Sequence, residues 1–195
     1  EFVPDVPGLY ELSIFDEDMN LVTIDIYTDM WRGIIVDQDA EGRPVADSGC
    51  TGCHSAFGAD QFTPWAETGH AEIFTNNLNT STHYGERCFS CHTVGFDPEV
   101  DNGGVDDAAD YQAFLDAGLI NNPGDNWTTV VENFPDTAML ANIQCENCHG
   151  PQGNGHGLGS PRTNLSSDMC ATCHGEPLRH ARFQQWQLSG HANYE

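Results

Sequence analysis

Four copies of the sequence Cys-x-x-Cys-His constrain this chain more than any other feature, because together they contain all eight of its cysteines. The copies span Cys50–His54, Cys88–His92, Cys145–His149 and Cys170–His174. In c-type haem attachment, two thiols at this spacing form thioethers with the porphyrin, and the histidine that follows binds the iron. The motifs therefore predict four covalent haems.

The residues predicted to hold these haems fall into two groups. Covalent attachment is assigned to Cys50, Cys53, Cys88, Cys91, Cys145, Cys148, Cys170 and Cys173. The proximal iron ligands are His54, His92, His149 and His174. Zinc sites and disulfides also use paired cysteines and are the alternatives, but neither requires a histidine directly after the second cysteine.

The charge of the chain excludes one class of partner. Thirty acidic residues against six basic ones give a formal net charge of −24. A polyanion such as nucleic acid requires the opposite sign, so no nucleic-acid partner is expected. All six basic residues are arginines, which pair with carboxylates in a bidentate way. They are candidates to hold haem propionates, with ordinary surface ion pairing as the alternative.

The compartment follows from the haem chemistry. No apolar run approaches the ~20 residues needed to cross a bilayer, so no membrane span is expected. Haem is attached to these motifs outside the cytoplasm, which predicts an extracellular or cell-surface protein, with the periplasm as the alternative. The chain lacks an initiator methionine, and we expect it to be a processed form.

Residues 1–45 lack a haem motif and have the alternating pattern of β-strands. Apolar side chains alternate with polar ones over Tyr10–Ile14 and again over Val22–Ile26, with an acidic break between them, which predicts a hairpin. Gly33–Val36 is a candidate third strand. An isolated hairpin is marginally stable in water. We expect it to pack on the haem-binding region, with pairing to another chain as the alternative.

Residues 46–195 are predicted to form a tetrahaem cytochrome c region, mostly irregular and α-helical, with short helices and long loops organised by the haems. Helices are expected over Pro64–Leu78, Asp106–Leu115 and Arg179–Leu188, with little β-structure. Because each haem is a large apolar body, an extensive side-chain core is not required.

One internal repeat is informative. Residues Trp65–Ala71 and Trp186–Ala192 share the pattern Trp-x-x-Ser/Thr-Gly-His-Ala, and each begins about a dozen residues after a haem motif. The repeat indicates a duplicated haem module and places His70 and His191 at equivalent positions.

The second axial ligand of each iron separates conduction from catalysis, since a side chain in that position excludes small ligands. Five histidines lie outside the motifs. The distal candidates are His70, His83, His156 and His191, with His180 ranked below them. Four irons can then all be bis-histidine, which predicts low-potential haems that transfer electrons rather than an enzyme. Methionine is the competing ligand.

Several of these segments resemble a known family. The four motifs, the two Trp-containing elements, Cys91-His92-Thr93-Val94-Gly95-Phe96 and Cys148-His149-Gly150-Pro151 look like the multihaem cytochromes c related to hydroxylamine oxidoreductase and pentahaem nitrite reductase. In that family the histidine of the Trp element is a distal ligand, usually to a haem other than the preceding one. The chain has no lysine, so the lysine-ligated catalytic haem of the nitrite reductases is missing.

His191 is followed by no further motif, so by analogy it binds a haem that this chain does not supply. Either the chain is part of a longer cytochrome, or His191 reaches into the next copy. The second case resembles the polymeric extracellular cytochrome nanowires and implies a head-to-tail filament. The expected partners are then copies of the chain and redox proteins or extracellular electron acceptors. The alternatives are a reductase of small nitrogen or sulfur oxyanions at a five-coordinate haem, and a monomeric periplasmic shuttle.

Two acidic loops are candidate calcium sites. Asp97–Gly104 and Asp37–Gly42 place oxygen ligands at alternate positions before a glycine, although neither has the complete pattern of a calcium loop. Solvated acidic turns are the alternative.

Overall fold

The N-terminal region forms two small antiparallel sheets in the computed structural model of the chain, which describes residues 6–56, 58–152, 167–175 and 181–192. Strands β1 (Gly8–Phe15) and β2 (Leu21–Thr28) form the predicted hairpin, and strands β3 (Ile35–Gln38) and β4 (Pro44–Ala46) form a second pair. The strand predicted at Gly33–Val36 therefore begins two residues later, and it pairs with β4 instead of the hairpin.

The hairpin has one apolar face, because its register places Tyr10, Leu12 and Ile14 opposite Ile26, Ile24 and Val22. Its turn is closed by the Asp16 carboxylate, which accepts hydrogen bonds from the backbone N–H groups of Asp18 and Asn20. Among the described residues, the expected packing of this face on the rest of the chain is not observed near the turn, where Ile14 is 51% and Ile24 45% exposed. Both lie in the half of the hairpin nearer the turn, away from the point where Thr28 joins the rest of the chain.

The rest of the described chain consists of short helices and loops, as predicted. The helices are α1 (Ser48–Ala56), α2 (Phe62–Ala66), α3 (Gly69–Thr80), α4 (Phe89–His92), α5 (Tyr111–Asp116), α6 (Asn126–Asn133), α7 (Pro135–Met139), α8 (Cys145–His149), α9 (Asp168–His174) and α10 (Arg182–Gln187). Two 3₁₀ turns span Glu86–Cys88 and Val105–Asp107.

Two predicted helices are interrupted. The Pro64–Leu78 prediction corresponds to α2 and α3, which are separated because Thr68 has an extended backbone (φ −95°, ψ 156°). Asp106–Leu115 is divided in the same way between a 3₁₀ turn and α5, with Ala108 extended at ψ 137°. The third prediction corresponds to α10, and its first residues, Arg179 and His180, lie outside the described part of the chain.

A buried aromatic core joins the helices between the first and third motifs. Phe74 of α3 lies at its centre, with ring centroids 5.5–6.3 Å from those of Tyr84, Phe89, Phe114 and Trp127. Burying each such ring contributes about 1.5–3 kcal/mol. The sequence predicted a region organised by haems without an extensive side-chain core. The structure has such a core, because aromatic residues distant in sequence meet around α3.

The segment after the hairpin crosses this core at very short range. A side chain at Gly33 would place its Cβ 2.0 Å from the carbonyl oxygen of Met139, and one at Gly95 would come within 2.5 Å of the Trp31 ring. The backbone N–H of Trp31 also donates to the carbonyl of Asn102 at 2.8 Å. These contacts hold the segment that leads from β2 toward the first haem motif.

Candidate functional site

Each haem motif occupies one or two turns of helix. The first, third and fourth lie within α1, α8 and α9, and the second spans the 3₁₀ turn Glu86–Cys88 and α4. Residues i and i+3 share a face of a helix, so each pair of thiols points to the same side with the histidine one residue further on. This arrangement fits two thioether bonds to one porphyrin.

The cysteines do not form the alternative sites. No disulfide joins any of the eight cysteines in this structure. Within the described ranges, which include every cysteine, no group of three or more His, Cys, Asp or Glu residues lies close enough to hold a metal ion. The cysteines are therefore not gathered into a four-sulfur site there.

The third motif lies beside the first. The Glu146 carboxylate accepts a hydrogen bond from the backbone N–H of Arg32 at 2.7 Å, and the Gln144 side chain accepts one from Ile34 at 2.8 Å. Ile34 in turn accepts a hydrogen bond from Asp47, which precedes α1. Burial raises the pKa of the Cys145 thiol, and Cys50 is close enough to raise it further.

The second and fourth motifs also adjoin the third. The Asn147 side-chain amide donates to the carbonyl of Thr93, the residue after His92, at 2.9 Å. Burial raises the pKa of the Cys148 thiol, and Cys170 of the fourth motif raises it further. Helices α4 and α9 are in contact as well. The four motifs thus form one connected group around α8.

The structure brings together one distal candidate and one proximal histidine. The ring centroids of His70 and His174 are 6.2 Å apart, with their planes inclined at 49°. Two imidazoles on one iron are separated by about 6 Å, since each Fe–N bond is about 2 Å and each ring centre lies about 1 Å beyond its nitrogen. The pair can therefore take up one iron between its rings.

The two Trp elements have the same local structure. The backbone N–H and the hydroxyl of Thr68 both donate to the carbonyl of Trp65, at 2.9 and 2.7 Å. Ser189 makes the same two bonds to Trp186, at 2.9 and 2.6 Å. In each copy the preceding motif helix also contacts the Trp helix, α1 with α2 and α9 with α10. The duplication predicted from sequence is thus present in the geometry.

The sequence analysis missed one member of the repeat. Phe62 packs against Trp65 at 5.3 Å between ring centroids, and Phe183 packs against Trp186 at 5.6 Å. The repeat is therefore Phe-x-x-Trp-x-x-Ser/Thr-Gly-His-Ala. Aligning the two copies a few residues further toward the N-terminus would have revealed the shared phenylalanine.

The first Trp element is anchored to the segment that leads into the third motif. The Trp65 indole N–H donates to the carbonyl of Ile143 at 2.8 Å, and the N–H of Ile143 donates to the carbonyl of His70 at 3.0 Å. Asn142 adds a buried contact, with its side-chain oxygen accepting from Phe74 and Thr75 of α3. These bonds fix the start of α3 and with it His70.

The remaining histidines have different environments. His92 packs against the Tyr84 ring at 5.5 Å, and burial lowers the pKa of His92, which favours the neutral imidazole that binds metals. Nδ1 of His83 is 2.8 Å from the Thr82 hydroxyl, which leaves Nε2 as the nitrogen that can bind iron. His191 is exposed. His156 and His180 lie outside the described residues.

The third motif contains a carboxyl group with a strongly raised pKa. Burial raises the pKa of Glu146 to about 7, against the lowering effect of hydrogen bonds from the backbone of Arg32 and Gln152. The carboxylate therefore changes charge near neutral pH, next to the first attachment cysteine of this motif.

Carboxylates close the turns of the two acidic loops. Asp39 accepts hydrogen bonds from the backbone N–H groups of Glu41 and Arg43 and forms an ion pair with Arg43 at 2.8 Å. Asp107, three residues after the second loop, accepts from Asn102 and Gly103. These bonds are those of acidic turns, and the calcium sites stay a prediction.

Comparison with known proteins gives a match to a family model. A family model described as cytochrome c554 and c-prime matches residues 123–150, which include the third motif. No curated protein and no solved structure matches the chain. The match supports a c-type cytochrome with covalent haem c that transfers electrons, in a secreted or periplasmic protein. None of the described helices has the length and hydropathy of a membrane span.

Proposed function

We propose that the chain is a tetrahaem cytochrome c with bis-histidine irons that conducts electrons and polymerises head to tail. The observation that carries this proposal is the His70–His174 pair, whose 6.2 Å separation suits two ligands on one iron. The resemblance to the multihaem cytochromes and their filamentous relatives supports it further. Each covalently bound haem would supply a one-electron Fe(III)/Fe(II) couple.

The protein's own residues determine what such a couple can do. His70 and His174 would hold the iron of the haem attached at the fourth motif, and with both imidazoles bound they would exclude water and small ligands from it. His83, His156 and His191, with His180 as a further candidate, are proposed for the same role at other sites. A fully ligated site can exchange electrons but cannot bind a substrate, so we propose an electron carrier and not an enzyme.

The contacts among the motifs support conduction through the chain. Asn147 links the third motif to the second, and Glu146 and Gln144 link it to the segment that leads to the first. The fourth motif also lies beside the third, since Cys170 is close enough to Cys148 to affect its thiol. Porphyrins attached to these cysteines would lie close to one another, which suits electron hopping between them.

The proposed assembly uses the second Trp element. His191 has the position in its repeat that His70 has in the first, and its helix follows the fourth motif as α2 follows the first. We propose that His191 binds an iron of the next copy, in an extracellular or cell-surface filament that passes electrons to redox proteins or external acceptors.

Spectroscopy and imaging of the secreted holoprotein test this function. We expect an intact mass equal to the polypeptide plus four haems, a low-spin ferric spectrum, no binding of cyanide to the resting ferric protein and no binding of carbon monoxide to the reduced protein. A high-spin component, or ligand binding at one haem, contradicts complete bis-histidine ligation and favours the oxyanion reductase. Electron microscopy that shows monomers only contradicts the filament and favours the shuttle.

A further inference from the structure

The two Trp elements have the same structure but different surroundings. In the first, the indole N–H of Trp65 is bonded to Ile143, and the backbone of Ile143 is bonded to His70. This element binds one backbone residue of another segment through both its carbonyl and its N–H. Its side of the interface consists of the indole donor of Trp65 and the carbonyl acceptor of His70.

The second element presents the same groups to solvent. Trp186 is 39% exposed and Leu188 is 87% exposed, although both are large and apolar. Within the described part of the chain, no group accepts a hydrogen bond from the Trp186 indole. The surface that the first element buries against Ile143 is thus open in the second.

One substitution within the repeat changes the character of this surface. Leu188 occupies the position of Glu67 in the first copy, two residues after the tryptophan in each case. A charged side chain that suits solvent is therefore replaced by an apolar one that is almost fully exposed. An exposed leucine beside an exposed tryptophan is typical of a protein interaction surface.

The charge of the second element suits an acidic partner. Residues 181–192 include Arg182 and no aspartate or glutamate, whereas the whole chain has a formal net charge of −24. The corresponding residues 60–71 of the first element include Asp60, Glu67 and no arginine. The surface of another copy of this chain is acidic, so the second element is complementary to it.

We propose that residues 182–192 form a docking surface for a second copy of this chain. The Trp186 indole N–H donates to a backbone carbonyl of that copy, and Leu188 is buried in the contact, as an anchor separate from the iron ligand His191. This inference rests on the proposed head-to-tail assembly and identifies the residues that hold the joint.

Two variants and a matched control test the docking surface in the holoprotein. Leu188→Glu restores the residue of the first element, and we expect it to raise the protein concentration at half-assembly at least about tenfold, because a charge must be buried. Trp186→Phe keeps an aromatic ring but removes the indole donor and part of the apolar surface, and we expect a shift of about threefold to tenfold. Val36→Glu adds the same charge at a residue that is 50% exposed elsewhere and controls for net charge alone.

Assembly is measured by sedimentation velocity over a range of protein concentrations, with haem content and far-ultraviolet circular dichroism checked for each variant. Equal assembly of wild type and Leu188→Glu, or an equal loss in Val36→Glu, overturns the docking surface but leaves the filament proposal standing. A wild-type protein that stays monomeric at every concentration overturns both. Selective loss of assembly in Trp186→Phe and Leu188→Glu, with four low-spin haems retained, supports the proposal.

Discussion

The ring centroids of His70 and His174 lie 6.2 Å apart with their planes inclined at 49°, although one residue follows the first haem motif and the other belongs to the fourth. His70 is held at the start of α3 by the Ile143 amide, and His174 is the last residue of α9. The pair thus links two motifs at opposite ends of the haem-binding region, and its geometry leads to the first prediction.

Replacing His70 should leave one haem iron with a vacant axial position. In His70→Ala we expect one of four haems to become high-spin and to bind carbon monoxide when reduced, measured by electron paramagnetic resonance and optical titration. His70→Met is the control, since a thioether should keep that haem low-spin while raising its potential. If the alanine variant retains four low-spin haems, His70 is not an iron ligand.

Removing the indole donor should have different effects in the two repeats. Trp65→Phe leaves the buried carbonyl of Ile143 without its partner and should lower the free energy of unfolding by about 1–3 kcal/mol. Trp186→Phe is the matched control and should change the stability of the monomer by less than about 0.5 kcal/mol. Chemical denaturation at low protein concentration measures both. Equal losses would show that Trp186 also has a partner within its own chain.

Replacement by alanine should destabilise the fold more at Gly95 than at Gly118, because other groups lie very close to the backbone at Gly95. Both glycines have positive φ, +71° and +68°. Gly118→Ala meets nothing within 4 Å and should cost only the conformational penalty, about 1–2 kcal/mol. Gly95→Ala meets the Trp31 ring at 2.5 Å as well, and we expect a loss at least about 1 kcal/mol larger. Thermal unfolding of the two variants compares them directly, and equal losses would contradict the packing of Trp31 on Gly95.

Glu146 should make stability depend on pH near neutrality. Burial raises the pKa of its carboxyl from an ordinary 4.5 to about 7, so the folded state favours the protonated form. The stability that the protonated Glu146 carboxyl contributes to the fold is fully present below pH 4.5 and is lost as the pH rises through 7. We expect the loss of stability between pH 5 and pH 8 to be smaller in Glu146→Gln than in the wild type, measured by denaturant titration at both values. An identical pH dependence would contradict the burial of this group.

Local patterns in the sequence were sufficient for much of the architecture. Alternation of apolar residues predicted the β1–β2 hairpin, and the repeated Trp-x-x-Ser/Thr-Gly-His-Ala pattern predicted two elements of equal structure. The patterns failed where an extended residue interrupts the helix, Thr68 in one case and Ala108 in the other, because sequence periodicity does not register one extended residue. They also missed the core around Phe74, since its aromatic partners have no regular spacing.

The sequence by itself determined the chemistry of attachment, because thioether formation requires two thiols and a histidine within a few residues, and such local spacing is visible in the chain. Only the tertiary structure decided which histidine meets which motif. His70 reaches His174 because Trp65, Ile143 and Asn142 hold the start of α3 against the segment before Cys145. Those contacts join residues far apart in sequence, so their pairing is set by packing and hydrogen bonding in the folded chain and not by any local pattern.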